Sequence, residues 1–375
     1  MRGGRRASFV IAGGGTGGHV VPGLAVAAEL KARGHEVVFF GTKAGIEAKL
    51  VPAAGYRIEW IEAGGVNRVD WRTLAQSAWR APRGVARAWG RLGRIQPAAM
   101  FSLGGYVAAP VMAAAALRGV PLVILEPNAM PGLANRIAGR RARRVLLGMA
   151  EAAAWFPEGR SEVSGVPVRE AFFSIRPKRP GEVFRVLILG GSQGSRTLNR
   201  AFRESWPLFR AQRGRYRIVH QCGSAEAAEL ARDFEGSGVD GQVVPFIGDV
   251  PGAFAEADLV VSRAGASAVA ELAAAGKPSV LAPYPFSADD HQRKNAEAFV
   301  RAGAAVLAPD AELSGERLFR EIERAAGDPQ GLERMGAAAR RLARPGAARR
   351  AAEVLEEIAG EGCGTVDTAL RSRNN

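Results

Sequence analysis

The chain has 375 residues, 47% hydrophobic and 23% charged, which allows two domains with separate cores and excludes a chain disordered throughout. A net charge of +14, from 51 basic and 37 acidic residues, implies an anionic partner (nucleic acid, an anionic membrane surface or phosphorylated substrates) unless it reflects only an arginine-rich proteome. The two cysteines, Cys222 and Cys363, fit neither a disulfide framework nor a zinc site and favour a reducing cytoplasmic compartment, and no apolar run is long enough to span a bilayer.

A first strand is expected over residues 9–12; the basic start before it imitates a signal peptide, but this apolar run is too short for one. It leads into Gly13-Gly14-Gly15-Thr16-Gly17-Gly18-His19 and a helical pattern from near Val20. Glycine admits positive φ and close backbone approach, and a helix start offers N–H groups to an anion. Gly13, Gly15 and Gly18 satisfy the G-x-G-x-x-G dinucleotide fingerprint, which calls for a carboxylate at the end of the second strand. The second strand, 36–40, runs instead into Gly41-Thr42-Lys43. Lys43 keeps open an NADP reading, through a 2′-phosphate. Thr16 and His19 place a hydroxyl and an imidazole at the helix start, suited to substrate binding or proton transfer; a structural histidine is the plainer alternative.

Residues 68–94 hold seven arginines, Asp70 and three tryptophans, Trp71, Trp79 and Trp89. As a helix, Val85, Trp89 and Leu92 share one face and Arg83, Arg87, Arg91 and Arg94 the opposite one. Such a helix can lie in a membrane interface, with Trp71 and Leu74 extending its apolar side. It can equally pack on the first domain's sheet. Nucleic acid also suits Arg and Trp, but no recognition motif accompanies them.

Further strands are expected at 98–103, 121–125 and 144–148, and a linker at 167–181. The second half repeats the plan, with strands at 184–189, 216–220, 242–245, 258–262 and 278–283. Its first strand ends in a second glycine turn, Gly190-Gly191-Ser192-Gln193-Gly194-Ser195. The strand at 258–262 leads through Arg263-Ala264-Gly265 into a helix, 266–275, on which Glu271 is placed to take two ribose hydroxyls. Helical residues 292–301 follow the polar run from Asp289 to Asn295. After Arg340 an Arg/Ala-rich helix reaches about residue 359, and 360–375 read as a disordered tail. Continuously apolar strands alternating with helices indicate an α/β chain. The expected architecture is two Rossmann-like, doubly wound parallel-sheet domains, 1–166 and 182–345, facing each other across a ligand cleft, with residues 346–375 as terminal helix and tail.

Six segments in register, GGGTGGHVVPGLAVAAEL, GGYVAAP, EPNAMPGLANR, GVPVR, GGSQGSRTLN and SRAGASAVAELAAAGKP, resemble the MurG family (glycosyltransferase family 28) of bacterial cell-wall synthesis, over nearly the whole chain. The resemblance implies a GT-B fold and inverting transfer of N-acetylglucosamine from UDP-GlcNAc; no metal-ligand cluster appears in the sequence, a helix N-terminus plus arginine can do a cation's work, and no cofactor is expected. The implied acceptor is the C4 hydroxyl of undecaprenyl-pyrophosphoryl-MurNAc-pentapeptide, and the implied location is peripheral, on the cytoplasmic face of the cell membrane.

By motif, the resemblance assigns nucleotide contacts to Arg169, Ser192, Ile247, Glu271 and the helix start Ala266, Ser267, Ala268, Val269 and Ala270. Ile247 would read uracil through its backbone, Ser192 a phosphate oxygen and Glu271 the ribose. Gln292 and Asn128 would hold the sugar, and Thr16, Gly17, Gly18 and His19 would meet the sugar and acceptor. His19 is the leading candidate base and Glu126 the second. Leu125-Glu126-Pro127-Asn128 departs from the family's His-Glu-Gln-Asn, Ala108-Ala109 replaces Ser-Gly, and Val166 replaces Asn. These departures fall on the acceptor side or beside the hinge. The rival readings are a GT-B transferase with another lipid or small-molecule acceptor, an NADP-dependent oxidoreductase, and a non-enzymatic membrane- or nucleic-acid-binding module.

Overall fold

The structure, a computed structural model, describes residues 6–371 apart from 16, 62–70, 179–180 and 192; for 17, 71–81 and 362–371 it describes the backbone alone. The chain divides into two units, Met1–Val168 with Gly346–Asn375, and Arg169–Pro345.

The first unit runs β1 (Ser8–Ala12), α1 (Gly17–Ala32), β2 (Glu36–Gly41), α2 (Glu47–Ala53), β3 (Arg57–Trp60), α3 (Trp71–Ile95), β4 (Ala99–Ser102), α4 (Gly105–Leu117), β5 (Leu122–Glu126), α5 (Leu133–Gly139), β6 (Arg144–Leu147) and β7 (Ser161–Val163). Its strands pair in the order β3-β2-β1-β4-β5-β6-β7, all parallel. Alternation along β1 serves two cores. Phe9 and Ile11 pack with Val26 and Leu30 of α1, while Val10 and Ala12 pack with Val107 and Val111 of α4. Burial on both faces is why the strand reads as one apolar run.

A last helix, α13 (Ala347–Arg371), also belongs to this unit and continues past the expected end near residue 359. It sends Ala351, Val354, Leu355 and Ile358 into the core beside α1. At its edges Arg350 pairs with Glu162 at 2.7 Å, and Glu356 takes Arg33 at 2.7 Å and His35 at 2.8 Å.

Helix α3 corrects one expectation. Leu92 is 1% exposed and packs with Ala88 in the core beneath α4, because the apolar positions 85, 88 and 92 form the inward stripe of the helix. Val85 is partly buried against that core, and of Val85, Trp89 and Leu92 it is Trp89 that is exposed. Arg91 is drawn back to the Trp60 carbonyl and to Glu59.

The second unit runs β8 (Phe184–Leu189), α6 (Arg196–Ala211), β9 (Tyr216–Gln221), α7 (Ala227–Glu235), β10 (Gly241–Val244), α8 (Val250–Glu256), β11 (Leu259–Ser262), α9 (Ala266–Ala275), β12 (Ser279–Leu281), α10 (His291–Arg301), β13 (Ala305–Leu307), α11 (Gly315–Ala326) and α12 (Pro329–Leu342). Its sheet order is β10-β9-β8-β11-β12-β13, again all parallel. The stretch after Arg169 is fastened here: Arg340 of α12 donates to the carbonyls of Phe173 and Ile175 and to Ala274 and Ala275 at the end of α9.

Each sheet reverses direction of growth after three strands, with the switch points between β1 and β4 and between β8 and β11. In open α/β sheets, ligands bind beyond the strand C-termini at such a point. Among the described residues, no helix is long and apolar enough to cross a membrane.

Candidate functional site

In the first unit, β1 delivers the chain into a turn at residues 13–15. Gly15 has φ +87°, open to glycine and costly for other residues. Its N–H donates to Glu47 Oε2 at 2.8 Å, and Glu47 Oε1 accepts from the Thr42 N–H at 2.9 Å and hydroxyl at 2.8 Å. Glu47 is a site-forming residue that the sequence reading missed. A glutamate opening a helix looks like an ordinary dipole-favoured residue, and only its burial among glycines distinguishes it.

Across the switch point, the β4–α4 turn packs onto this one. A Cβ on Gly15 would lie 3.1 Å from the Tyr106 ring, and one on Gly105 would lie 3.7 Å from His19 Cε1. His19 therefore sits half-buried on the first turn of α1, with Gly17 and Gly18 before it and the Gly104-Gly105-Tyr106 turn beside it. Thr16 lies outside the described residues.

Glu126 ends β5 at 1% exposure. One carboxylate oxygen accepts from Asn128 N–H at 2.9 Å and Asn128 Nδ2 at 3.1 Å. The other accepts from Gly132 N–H at 3.2 Å and Asn135 Nδ2 at 2.9 Å. Burial raises its pKa while these donors pull it back. With both oxygens engaged, Glu126 fixes the loop that carries Asn128; this argues against it as the proton acceptor and leaves His19 as the candidate.

In the second unit, the turn at residues 190–195 lies close against the end of β9. A Cβ on Gly194 would be 2.2 Å from the Cys222 carbonyl oxygen. Ser195 then caps α6, accepting from the Leu198 N–H at 3.3 Å. Behind this turn, buried Asn199 bonds His220 at 2.9 Å and the Cys222 carbonyl at 3.2 Å. Burial lowers the His220 pKa to about 4. Ser192 lies outside the described residues.

The β11–α9 turn is held from three sides. Arg263 donates to the carbonyls of Ala282 and Pro283 at 3.0 and 3.3 Å and pairs with Asp310, which also accepts from the Thr197 hydroxyl at 3.0 Å. Asn295, fully buried on α10, donates to the Ala264 carbonyl at 3.1 Å. Gly265 brings no capping side chain to α9, so the helix start can present backbone N–H groups to an anion. Ala266, Ser267, Ala268 and Ala270 are half-buried there, whereas the Val269 side chain is in the core and has only backbone to offer.

Glu271 follows on the same helix. Burial raises its pKa to about 7, and the Arg169 guanidinium lowers it. Arg169 is exposed, with its guanidinium 5.1 Å from the Phe172 ring centroid. The Oε1 of Gln292, on the first turn of α10, accepts from Tyr284 N–H at 3.0 Å. Ile247 lies half-buried in the β10–α8 loop beside exposed Phe246. The second unit thus brings Arg169, Glu271 and the α9 start together. Arg263 and Asn295, which hold that start, were missed because their role is visible only in their partners.

Of the residues expected at a membrane, Trp71 and Leu74 lie on α3 where only the backbone is described, and Arg87 is exposed. Arg118 stacks on Trp89 at 3.8 Å from the ring centroid. Among the described residues, no group of three or more His, Cys, Asp or Glu is placed to hold a metal ion.

Comparison with known proteins agrees with this geometry. Residues 9–147 match the glycosyltransferase family 28 N-terminal domain and residues 185–354 the family 28 C-terminal domain. The chain is 54% identical over 353 residues to the UDP-N-acetylglucosamine–N-acetylmuramyl-(pentapeptide) pyrophosphoryl-undecaprenol N-acetylglucosamine transferase of Solibacter usitatus, covering 94% of this chain and 96% of that one. It is 46% identical to the Halorhodospira halophila protein of the same name, over 94% and 98% of the two chains. The chain belongs to glycosyltransferase family 28. Its structure matches that of Acinetobacter baumannii MurG with a TM-score of 0.77 at 29% identity, covering 94% and 99% of the chains. The two Rossmann-like units are those of a GT-B enzyme, and the family 28 C-terminal domain contains the α9 start, Glu271 and Gln292.

Proposed function

We infer that the chain transfers N-acetylglucosamine from UDP-GlcNAc to the C4 hydroxyl of undecaprenyl-pyrophosphoryl-MurNAc-pentapeptide, with inversion, in peptidoglycan synthesis. The observation that carries the donor half is the α9 start, half-buried and without a capping side chain, next to Arg169 and Glu271. Diphosphate suits the helix N-terminus and the guanidinium; two ribose hydroxyls suit the carboxylate. Ser192, Ile247 and Gln292 complete the donor set by motif, with Gln292 offering its NH2 group to the sugar while its carbonyl stays on Tyr284.

In the transfer step, the acceptor oxygen bonds to the anomeric carbon as that carbon's bond to the UDP oxygen breaks. The acceptor proton goes to His19 of the first unit. UDP leaves with the bonding pair, its charge held by fixed dipoles and Arg169, an electrostatic contribution of the oxyanion-hole kind. On this reading Asn128, held by Glu126, orients the sugar.

The lipid-linked acceptor requires a membrane contact, and we assign it to the outer surface of α3, α4 and α5. Trp89, Leu117, Leu133 and Ile137 are large, exposed and apolar there, and Arg87, Arg118, Arg140 and Arg141 supply charge for lipid phosphates. Leu92 and Arg91 face inward and take no part. This supports a peripheral enzyme at an anionic membrane surface, on the cytoplasmic side where nucleotide sugars occur.

Thermal unfolding with added ligands tests the class of enzyme. UDP and UDP-GlcNAc should raise the Tm, and NADPH and oligonucleotides should not. Protection by NADPH instead of UDP would return the first glycine turn to a dinucleotide role.

A further inference from the structure

The first glycine turn contains an anion of its own. Glu47 is 1% exposed, and among the described residues its hydrogen-bond donors, Gly15 N–H and the N–H and hydroxyl of Thr42, are uncharged. Three glycines make the space for it. A Cβ on Gly14 would lie 2.3 Å from Oε1, one on Gly45 2.0 Å from Oε2, and one on Gly41 2.6 Å from the Glu47 Cγ. The carboxylate therefore occupies a fitted cavity under the turn.

A glycine turn between a strand and a helix is ordinarily a phosphate cradle, because its amides and the helix dipole both point at the anion. Here the Gly15 amide is already spent on a carboxylate, and a phosphate brought to the same turn would meet a buried like charge at low dielectric. The second turn differs. There Gly190 and Gly194 donate to the backbone carbonyls of Gln221 and Gly191, which add no negative charge. Two turns of like sequence thus differ in what their amides donate to: a carboxylate in the first and backbone carbonyls in the second.

We propose that Glu47 closes the first glycine turn to phosphate groups and is a specificity-determining residue of the first unit. Nucleotide diphosphate is left to the second unit, and the diphosphate of a lipid-linked acceptor must be held away from the Gly15 amide. The same charge explains why the G-x-G-x-x-G pattern at Gly13, Gly15 and Gly18 does not make this a dinucleotide site. The proposal rests on the transferase reading only for the role of the second turn.

Calorimetric titration of the full chain with inorganic pyrophosphate, with UDP saturating, tests it. Glu47→Gln keeps the shape, removes the charge and frees the Gly15 amide. It should gain one pyrophosphate site at least tenfold tighter than any in the wild type, with UDP affinity unchanged. Glu47→Asp, which keeps the charge, should gain none. A folded Glu47→Gln whose isotherm superimposes on the wild type overturns the proposal, as does an equal gain in Glu47→Asp. Should Glu47→Gln not fold, a 15N-glycine spectrum of the wild type decides. The Gly15 amide should stay unshifted at saturating pyrophosphate, and a shift there overturns the proposal. Failure of UDP to bind in the same titration counts against the donor reading and not against this one.

Discussion

Glu271 and Arg169 form an electrostatic pair in the second unit: burial raises the glutamate's pKa to about 7, and the arginine guanidinium lowers it. The carboxylate thus titrates in the physiological range while remaining next to a fixed cation. On the proposed reading, a donor whose ribose hydroxyls need an acceptor, and whose diphosphate needs a cation, uses both partners.

The pH dependence follows in sign. The folded protein holds a proton on Glu271 where the unfolded chain has lost it, so this group's stabilising contribution is full below its ordinary value near 4.5 and is lost as pH rises through about 7. Donor binding runs the other way, because the ionised form accepts the hydroxyls. The KM for UDP-GlcNAc should fall as pH rises through about 7, and steady-state kinetics of Glu271→Gln should show that fall abolished.

Glu271→Ala should raise the UDP-GlcNAc KM about ten- to hundredfold, since hydrogen bonds to a charged group contribute roughly 1.5–3 kcal/mol. An unchanged KM in a folded variant would make Glu271 an ordinary helix residue.

His19→Ala should lower kcat by about 10² to 10⁴, the usual contribution of a general base, with donor affinity kept. Loss of donor binding with kcat retained at saturation would make His19 a donor ligand. Glu126→Gln should lower the Tm by disturbing the Asn128 loop and leave the pH profile of kcat unmoved; loss of one limb of that profile would restore Glu126 as the base.

Vesicle sedimentation separates the two sides of α3. Trp89→Ala with Arg87→Glu and Arg118→Glu should weaken binding to anionic vesicles, which should itself fade with salt, and should spare UDP binding. Leu92→Ala should instead cost about 2–5 kcal/mol of stability, as large-to-small core changes do, and leave vesicle binding as it was. The reverse pattern would mean that Leu92 reaches lipid.

The central strands of both sheets were legible because burial on two faces makes them largely apolar runs, as in residues 9–12. The strands that were not expected, β3, β7 and β13, are edge strands. Arg57-Ile58-Glu59-Trp60 and Ser161-Glu162-Val163 mix polar and apolar residues because one side of the ladder is open, and β13 is three residues long. The return of α13 to the first unit was hidden for another reason. A pattern of apolar positions fixes a helix face but not the surface that covers it, and the partners Arg33, His35 and Glu162 are far away in sequence. At the site, glycine turns and Glu271 stood out by composition and spacing. Glu47, Arg263 and Asn295 act through what they bond to, which no local pattern encodes.

The most direct measurement is transfer itself. The purified chain would be incubated with UDP-GlcNAc carrying a labelled sugar and a synthetic lipid-linked MurNAc-pentapeptide, and the product's linkage read by NMR. The account predicts a lipid-linked disaccharide with the new bond at the C4 oxygen, inverted at the anomeric carbon, formed without added metal or nicotinamide. Retention of configuration, or release of free sugar with no lipid-linked product, would contradict it.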